Sequence, residues 1–369
     1  QTDLQGNISA PAKFVLADVQ SKDKLTYNQV SDYLEGKDNA WQPENPETAQ
    51  QIQRLHQFTL TRTQWRKTHA LLFKEKPDYS FVLAENGKVQ EIKAEYRRIA
   101  NQIVEESMII ANICAAQFLH ENLQCGIFNT HSGFDKKFLE NAHHFLLANL
   151  ANEENKAELQ SRYALENLAT LNGYCQMRHD IDPIEGDYLE FRLRRFLTFA
   201  EFKAELAPHF GLGLNGYATW TSPIRKYSDM VNHRLIKAHL AGRDFAKPEE
   251  SVLARLQEAR RQNRLVERDI ADWLYCRYLA DKVAEKPEFD AEVQDVTRGG
   301  LRVMLLENGA SMFIPASTLH DNKEEVVINP DEIAFYVKDQ RLYKIGDPIR
   351  VQLTEVRETT RSIVGTVVK

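Results

Sequence analysis

The stretch His209–Leu235, HFGLGLNGYATWTSPIRKYSDMVNHRL, decides the reading of the chain. Gly211, Gly213 and Gly216 open backbone conformations closed to other residues, as a segment passing close to a ligand often needs. A run with strand character, Tyr217–Thr221, comes next. Ser222 is then a good N-cap and Pro223 a good first helical residue, which predicts a helix from here with Ile224, Met230, Val231 and Leu235 turned inward. Arg225 and Lys226 would stand in its first turn, against the helix dipole, so something negative must offset them. Backbone N–H groups at a helix start and a guanidinium able to bind two oxygens together describe a phosphate site. The plainer alternative is a pair of surface cations bridged to carboxylates elsewhere.

Outward from this stretch, 369 residues with 43% hydrophobic and 27% charged content suit two or three ordinary globular domains. No apolar run is long enough to span a bilayer and no signal-peptide pattern opens the chain, so a cytoplasmic protein is expected. Cys114, Cys125, Cys175 and Cys276 are scattered among apolar neighbours and read as buried thiols. The net charge of -6 means that any nucleic-acid site must be a local patch on an acidic exterior. The chain opens on Gln1 in what reads as mid-domain sequence, and a fragment is expected.

Residues 12–19 have strand character, 23–34 read as a short helix, and 48–69 as a long amphipathic helix with Ile52, Leu55 and Phe58 inward. Residues 78–95 read as a hairpin turned by Asn86-Gly87. Residues 97–123 give the clearest helix, with Ile99, Ile103, Ile110, Cys114 and Phe118 on one face. Glu105 and Glu106 interrupt it, and their plain reading is a salt bridge to Arg97, Arg98 or Arg225. His143-His144 point to different helix faces, and Asp180 and Asp182 sit in a turn-like HDIDP, so neither pair makes a strong metal site. Residues 249–283 read as one helix, with Val252, Leu256, Ala259, Val266, Ile270 and Trp273 inward and an arginine stripe, Glu267 within it, outward. From Phe289 onward, five short strand segments suggest a small closed barrel.

The run Tyr217–Asp229 with His233 and Arg234, the segment Tyr96–Ala116 and the segment Ala259–Tyr278 resemble the RNase II/RNB exoribonucleases, and the match extends over essentially the whole chain. The resemblance implies an α/β fold, a mixed sheet with flanking helices over residues 1–285, followed by an all-β S1-type OB barrel over residues 286–369. It implies processive 3′-to-5′ hydrolysis of single-stranded RNA to nucleoside 5′-monophosphates. Arg225 would stabilise the scissile phosphate with Lys226 nearby, Phe73 would stack a base, and Tyr27, Glu105 and Glu267 would shape the pocket, Glu105 beside the ribose. On residue type alone, Tyr27 and Phe73 are equally core aromatics and Glu267 an intrahelical ion-pair partner. In the barrel, Arg298, Arg302, Phe313 and Lys344 are chosen as RNA contacts by side-chain type.

The family holds Mg²⁺ with an aspartate cluster, D-x-x-x-x-x-D-x-D-D, that is absent from these residues. No metal ligand is therefore assigned in this chain, and it is expected to be inactive without the missing N-terminal part of the enzyme, and monomeric. Two other readings stand beside this one. The first is a non-catalytic RNA-binding module; the second is a metal phosphodiesterase built on Asp180 and Asp182.

Overall fold

The computed structural model describes every residue except 73, 321–324, 330, 331, 338 and 369, and the side chain of 326. In chain order, helices α1 (Tyr27–Leu34) and α2 (Pro46–His69) precede strands β1 (Asp78–Leu83) and β2 (Val89–Glu95). Helix α3 (Ile99–Phe118) runs into a π-helical turn, Leu119–Leu123, and then β3 (Phe128–Thr130). Helices α4 (Leu139–Leu150), α5 (Lys156–Arg162), α6 (Leu165–Leu168), α7 (Leu171–Ile181) and α8 (Tyr188–Arg194) follow. After β4 (Glu201–Lys203) come α9 (Tyr227–Leu240) and α10 (Glu250–Ala280). The C-terminal part holds β5 (Glu288–Thr297), β6 (Gly300–Leu305), β7 (Ser311–Pro315), α11 (Ala316–Leu319), β8 (Val326–Asn329), β9 (Ala334–Val337), β10 (Gln340–Lys344), β11 (Pro348–Arg357) and β12 (Ser362–Val367).

Contacts divide the chain into two units interleaved in sequence: residues 1–75, 97–180 and 196–259, and residues 76–96, 181–195 and 260–369. The first is mostly helical. Thr26 and Gln29 form a reciprocal capping box that starts α1, and Asn45 with Pro46 starts α2. The buried face of α2 is polar, Thr59, Arg62 and Arg66 joining Ile52, while Leu55 is exposed rather than inward. On α3 the fully buried residues are Ala100, Ile103, Glu106, Ile109, Asn112, Ala115 and Ala116; Ile99, Ile110, Cys114 and Phe118 are only half-buried. A small sheet completes the unit. β3 and β4 form a two-stranded antiparallel sheet rather than an extended mixed one, with isolated bridges beside it, Phe128 to Ala218 antiparallel and His131 to His209 parallel. Residues 12–19 form no strand, and Val15, Leu16 and Val19 are exposed.

The second unit is built on a closed barrel in the order β11-β12-β7-β6-β5, its β7–β12 step parallel and the others antiparallel. That order is the OB topology. Its strands alternate inward and outward, and Val293, Leu301, Val303, Leu305, Met312, Ile314, Val351 and Leu353 are fully buried. Each such side chain contributes about 1.5–3 kcal/mol relative to exposure. Not every predicted strand segment enters the barrel: β9, from the DEIAFYV region, and β10, from QRLYK, join β8, a strand outside the predicted segments, in a separate three-stranded antiparallel sheet inserted between β7 and β11. The hairpin β1–β2 belongs to this unit, with the Tyr79 hydroxyl donating to the Leu306 carbonyl at 2.8 Å. Gly309 has φ +78°, and a Cβ there would meet the Tyr79 ring at 2.3 Å. On α10 the inward set differs from expectation: Leu253, Tyr275, Cys276 and Leu279 are buried, whereas Ala259, Val266, Ile270 and Trp273 are exposed.

Candidate functional site

The motif around Arg225 is a turn, not a helix start. The Asp229 carboxylate accepts the Ser222 N–H at 2.9 Å, and the Ser222 carbonyl accepts the N–H groups of Arg225 and Lys226 at 3.2 and 2.9 Å. The Ser222 hydroxyl makes no cap hydrogen bond among the described residues, and α9 begins at Tyr227 after Lys226. Arg225 and Lys226 thus precede the helix, while Asp229 occupies its first turn, where the dipole favours a carboxylate. Ile224 is 102% exposed, not inward. Arg225 is exposed and its guanidinium has no hydrogen bond or ion pair among the described residues; the same holds for the half-buried Lys226 ammonium.

What fixes this turn is a set of buried polar side chains. Asp229 is 0% exposed and also accepts the Ser228 hydroxyl at 3.1 Å, and Ser228 lies 3.0 Å from Thr219 Oγ1. Asn232 accepts the Ile127 N–H at 2.8 Å and donates to the Ile127 and Thr219 carbonyls, both at 3.0 Å. Asn112 of α3 accepts the Trp220 N–H at 2.8 Å and donates to the Tyr217 hydroxyl at 2.7 Å. His233 stacks on Trp220 with ring centroids 3.5 Å apart and donates from Nε2 to its carbonyl at 2.8 Å. Sequence reasoning named none of Asn112, Ser228, Asp229 and Asn232 as functional. Their partners lie up to 108 residues away, beyond any local pattern.

The glycine loop that leads into this turn is seated on the ALLF segment. Gly213 alone of the three central glycines has a left-handed φ, +67°, and a Cβ there would come within 2.8 Å of the Ala70 backbone. Leu71 N–H donates to the Leu212 carbonyl at 3.1 Å. His131 Nδ1 accepts from Gly133 and Gly211 N–H, so its proton is on Nε2, which donates to the Thr198 carbonyl. Burial holds the His131 imidazole below its ordinary value.

Among the other expected residues, Tyr27 opens α1 half-exposed and lines a cavity of about 550 Å³ with Leu25, Val30, Ile52, Leu55 and Ile103. Phe73 lies outside the described residues. Glu105 is indeed bridged, to Arg97 at 2.7 Å and to Arg66 at 3.4 Å, but not to Arg98, which binds Asp32 and Glu35. Glu106 is buried against Arg66 at 2.6 Å. Tyr217, whose phenol burial pushes up, also feels the charges of Arg66, Asp229 and Glu105, which ties this ion cluster to the turn. Glu267 is exposed on α10, and no pair with Arg264 forms.

On the barrel, Arg302 and Phe313 are directly paired across β6 and β7, and Gly299, next to Arg298, abuts the Phe313 ring. Arg302 and Phe313 thus share one face, Phe313 36% exposed, while Arg298 lines a cavity with Gly299, Pro315 and Ser317. Lys344 does not join them: it sits on β10, its ammonium 4.3 Å over the Tyr188 ring.

Among the described residues no group of three His, Cys, Asp or Glu side chains converges as a metal site. Asp180 is held by Arg162, by the Tyr163 hydroxyl and by Gln176, the hydrogen bonds of a structural carboxylate. His143 Nδ1 bonds the Tyr163 carbonyl, and Asp229 is sealed in its cage. These residues do not fit a catalytic two-metal site.

A largely helical α/β region followed by a five-stranded OB barrel defines a two-module class of fold. The RNB domain model matches residues 1–242 and the S1 RNA binding domain model residues 282–367. The chain belongs to the RNB family. It is 78% identical over 369 residues to Exoribonuclease 2 of Haemophilus influenzae, covering 100% of this chain and 56% of that one. The chain thus spans about half the length of the curated relatives it matches. Among solved structures it resembles the apo form of Mycoplasma genitalium RNase R, TM-score 0.83 at 20% identity, over 100% of this chain and 56% of that one. It also resembles the same enzyme in complex with ribose-methylated single-stranded RNA, TM-score 0.75 at 20% identity, over 93% and 53%.

Proposed function

We propose that this chain is the substrate-gripping and charge-stabilising portion of a processive 3′-to-5′ exoribonuclease that hydrolyses single-stranded RNA to nucleoside 5′-monophosphates. The observation that carries the reading is Arg225: an exposed guanidinium without a partner among the described residues, on a turn whose backbone is clamped by buried Asp229, Asn232 and Asn112. A cation presented in this way can meet the charge that develops on a phosphate in the transition state without first reorganising. Lys226 adds charge beside it. Phe73 stacks a base, Tyr27 and Glu105 meet the terminal sugars, Glu267 lies near the outgoing nucleotide, and Arg298, Arg302 and Phe313 grip the strand at the barrel. Residues 1–285 act as the catalytic-region portion and 286–369 as the S1-type module.

Mg²⁺ supplies Lewis-acid activation of water in this chemistry. We assign its ligands to carboxylates outside these 369 residues, so the chain alone binds RNA without cutting it. The working protein is taken to be monomeric and cytoplasmic; no helix among the described residues is long and apolar enough to cross a membrane. A second reading, a non-catalytic RNA-binding module, is favoured by the lack of a metal-holding group among the described residues.

Kinetics decide between the two. In a chain of the relatives' full length, Arg225→Ala should lower kcat by a factor of roughly 10²–10³ with little change in KM, as removal of a transition-state donor does. Equal losses in binding and rate would contradict the role. No hydrolysis by the unsubstituted full-length chain would favour the binding module.

A further inference from the structure

We propose that Arg66 is a positioning residue for sugar recognition: its buried guanidinium fixes the Glu105 carboxylate and the backbone leading to Phe73, so that the choice of RNA over DNA depends on a residue that does not touch the substrate. The proposal rests on the reading of Glu105 as acceptor of a ribose 2′-OH.

Arg66 is 1% exposed on α2. Nη1 donates to Glu106 Oε1 at 2.6 Å and to Glu105 Oε1 at 3.4 Å, and Nη2 donates to the Leu71 carbonyl at 2.8 Å. One planar fork therefore joins α3 to the segment two residues before Phe73. A lysine, with a single ammonium, does not span three acceptors laid out in this way. Glu105 Oε2 is taken by Arg97 at 2.7 Å, so Arg66 holds the inner oxygen and the exposed Arg97 the outer. With Arg66 gone, Glu105 would be tethered only from the solvent side.

The far side of the same segment is fixed as well. Leu71 N–H bonds Leu212, the Ala70 carbonyl accepts His179 Nε2 at 2.9 Å, and Gly213 packs on the Ala70 backbone. Arg66 thus closes a frame whose other sides are set by the glycine loop and α7.

Stability alone is a poor reason for this arrangement. A buried ion pair is often no better than an apolar pair of the same volume, and a half-satisfied network is worse. Here Arg66 Nε and Glu106 Oε2 are buried with no hydrogen-bond partner among the described residues. A cost retained at that position points to the geometry it holds.

The test is competition binding of an unstructured RNA oligonucleotide and its 2′-deoxy counterpart to the 369-residue chain and to three variants, with thermal melts run alongside. Glu105→Gln is the reference. Arg66→Lys keeps the charge opposite Glu106, and the double variant Arg66→Met, Glu106→Leu keeps the interior apolar and folded. The expected result is that RNA preference falls about tenfold in Glu105→Gln and by a similar factor in both Arg66 variants, whatever their melting temperatures. Arg66 variants that melt lower yet keep the wild-type preference, while Glu105→Gln loses it, would overturn the proposal. A wild-type chain with no preference for RNA, or a Glu105→Gln variant that keeps it, would instead sink the reading of Glu105, and the proposal with it.

Discussion

The turn that carries Arg225 and the barrel face that carries Phe313 are built on opposite plans. At the turn, the presented cation is free and everything beneath it is committed: Asp229, Asn232 and Asn112 spend their side chains on backbone groups from Ile127 to Ser222. At the barrel, the framework is apolar and the polar groups are outermost. Arg302 and Phe313 project from a hydrogen-bonded strand pair whose inward neighbours, Leu301, Val303, Met312 and Ile314, are fully buried. The first plan fixes the backbone from which the cation is presented, a preorganisation that charge stabilisation needs. The second offers a tolerant surface, which suits holding a strand without reading it.

The contrast predicts different failures. The largest effect should come from Asn232→Ala. It strands the Ile127 N–H and C=O and the Thr219 carbonyl in the interior and should cost roughly 3 kcal/mol of stability, read from urea unfolding. A loss below about 1 kcal/mol would mean that water replaces the side chain and that the turn is not clamped as described. Phe313→Ala should do the reverse at the barrel, leaving stability little changed but weakening single-stranded RNA binding by about 1–3 kcal/mol. Arg302→Ala should weaken binding less and flatten its dependence on salt by about one unit of slope. A stability loss without a binding loss at either residue would remove them from the interface.

How much of this the sequence disclosed depends on the range of the forces involved. The 78–95 hairpin follows from alternation around Asn86-Gly87, and α3 from apolar spacing; both are local. Ser222-Pro223 is a good local signal for a helix start, yet the Ser222 hydroxyl makes no cap among the described residues and α9 starts at Tyr227. On α10 the exposed Val266, Ile270 and Trp273 carry as much apolar character as the buried Tyr275 and Leu279, and periodicity alone does not rank them. The β9 and β10 segments read as barrel strands because strand character does not say which sheet a strand joins, and β8 lies outside the segments the pattern picks out. Arg225 is singled out in the sequence by its motif, and Arg302 and Phe313 by side-chain type. The cage under Arg225 is not, since each of its bonds bridges elements distant in sequence or needs the turn to exist first.

A smaller effect is expected from pH. His131 links residues 131–133 to the glycine loop through its unprotonated Nδ1, and burial holds its folded pKa below the 6.5 of the free side chain. The unfolded chain therefore takes up protons first, so stability present above pH 6.5 is lost as the pH falls below that value and through the folded one. Urea midpoints measured at neutral and mildly acid pH should show this fall, and His131→Gln should flatten it. The smallest effect is at Arg225 itself: Arg225→Ala should change stability by no more than about 0.5 kcal/mol, because the guanidinium is exposed and bonds none of the described residues. A larger loss would make it a structural residue and the turn a structural motif.

The central claim, that this chain grips RNA and presents a cation to its phosphates but does not hold the metals that cut it, is tested most directly by incubating the 369-residue chain with a 5′-labelled, unstructured RNA and Mg²⁺ and resolving the products by length. The account predicts RNA retarded by the protein in a native gel yet full-length after denaturation. A ladder shortening from the 3′ end would contradict it and send the search for metal ligands back into these residues, beginning with Asp180 and Asp182.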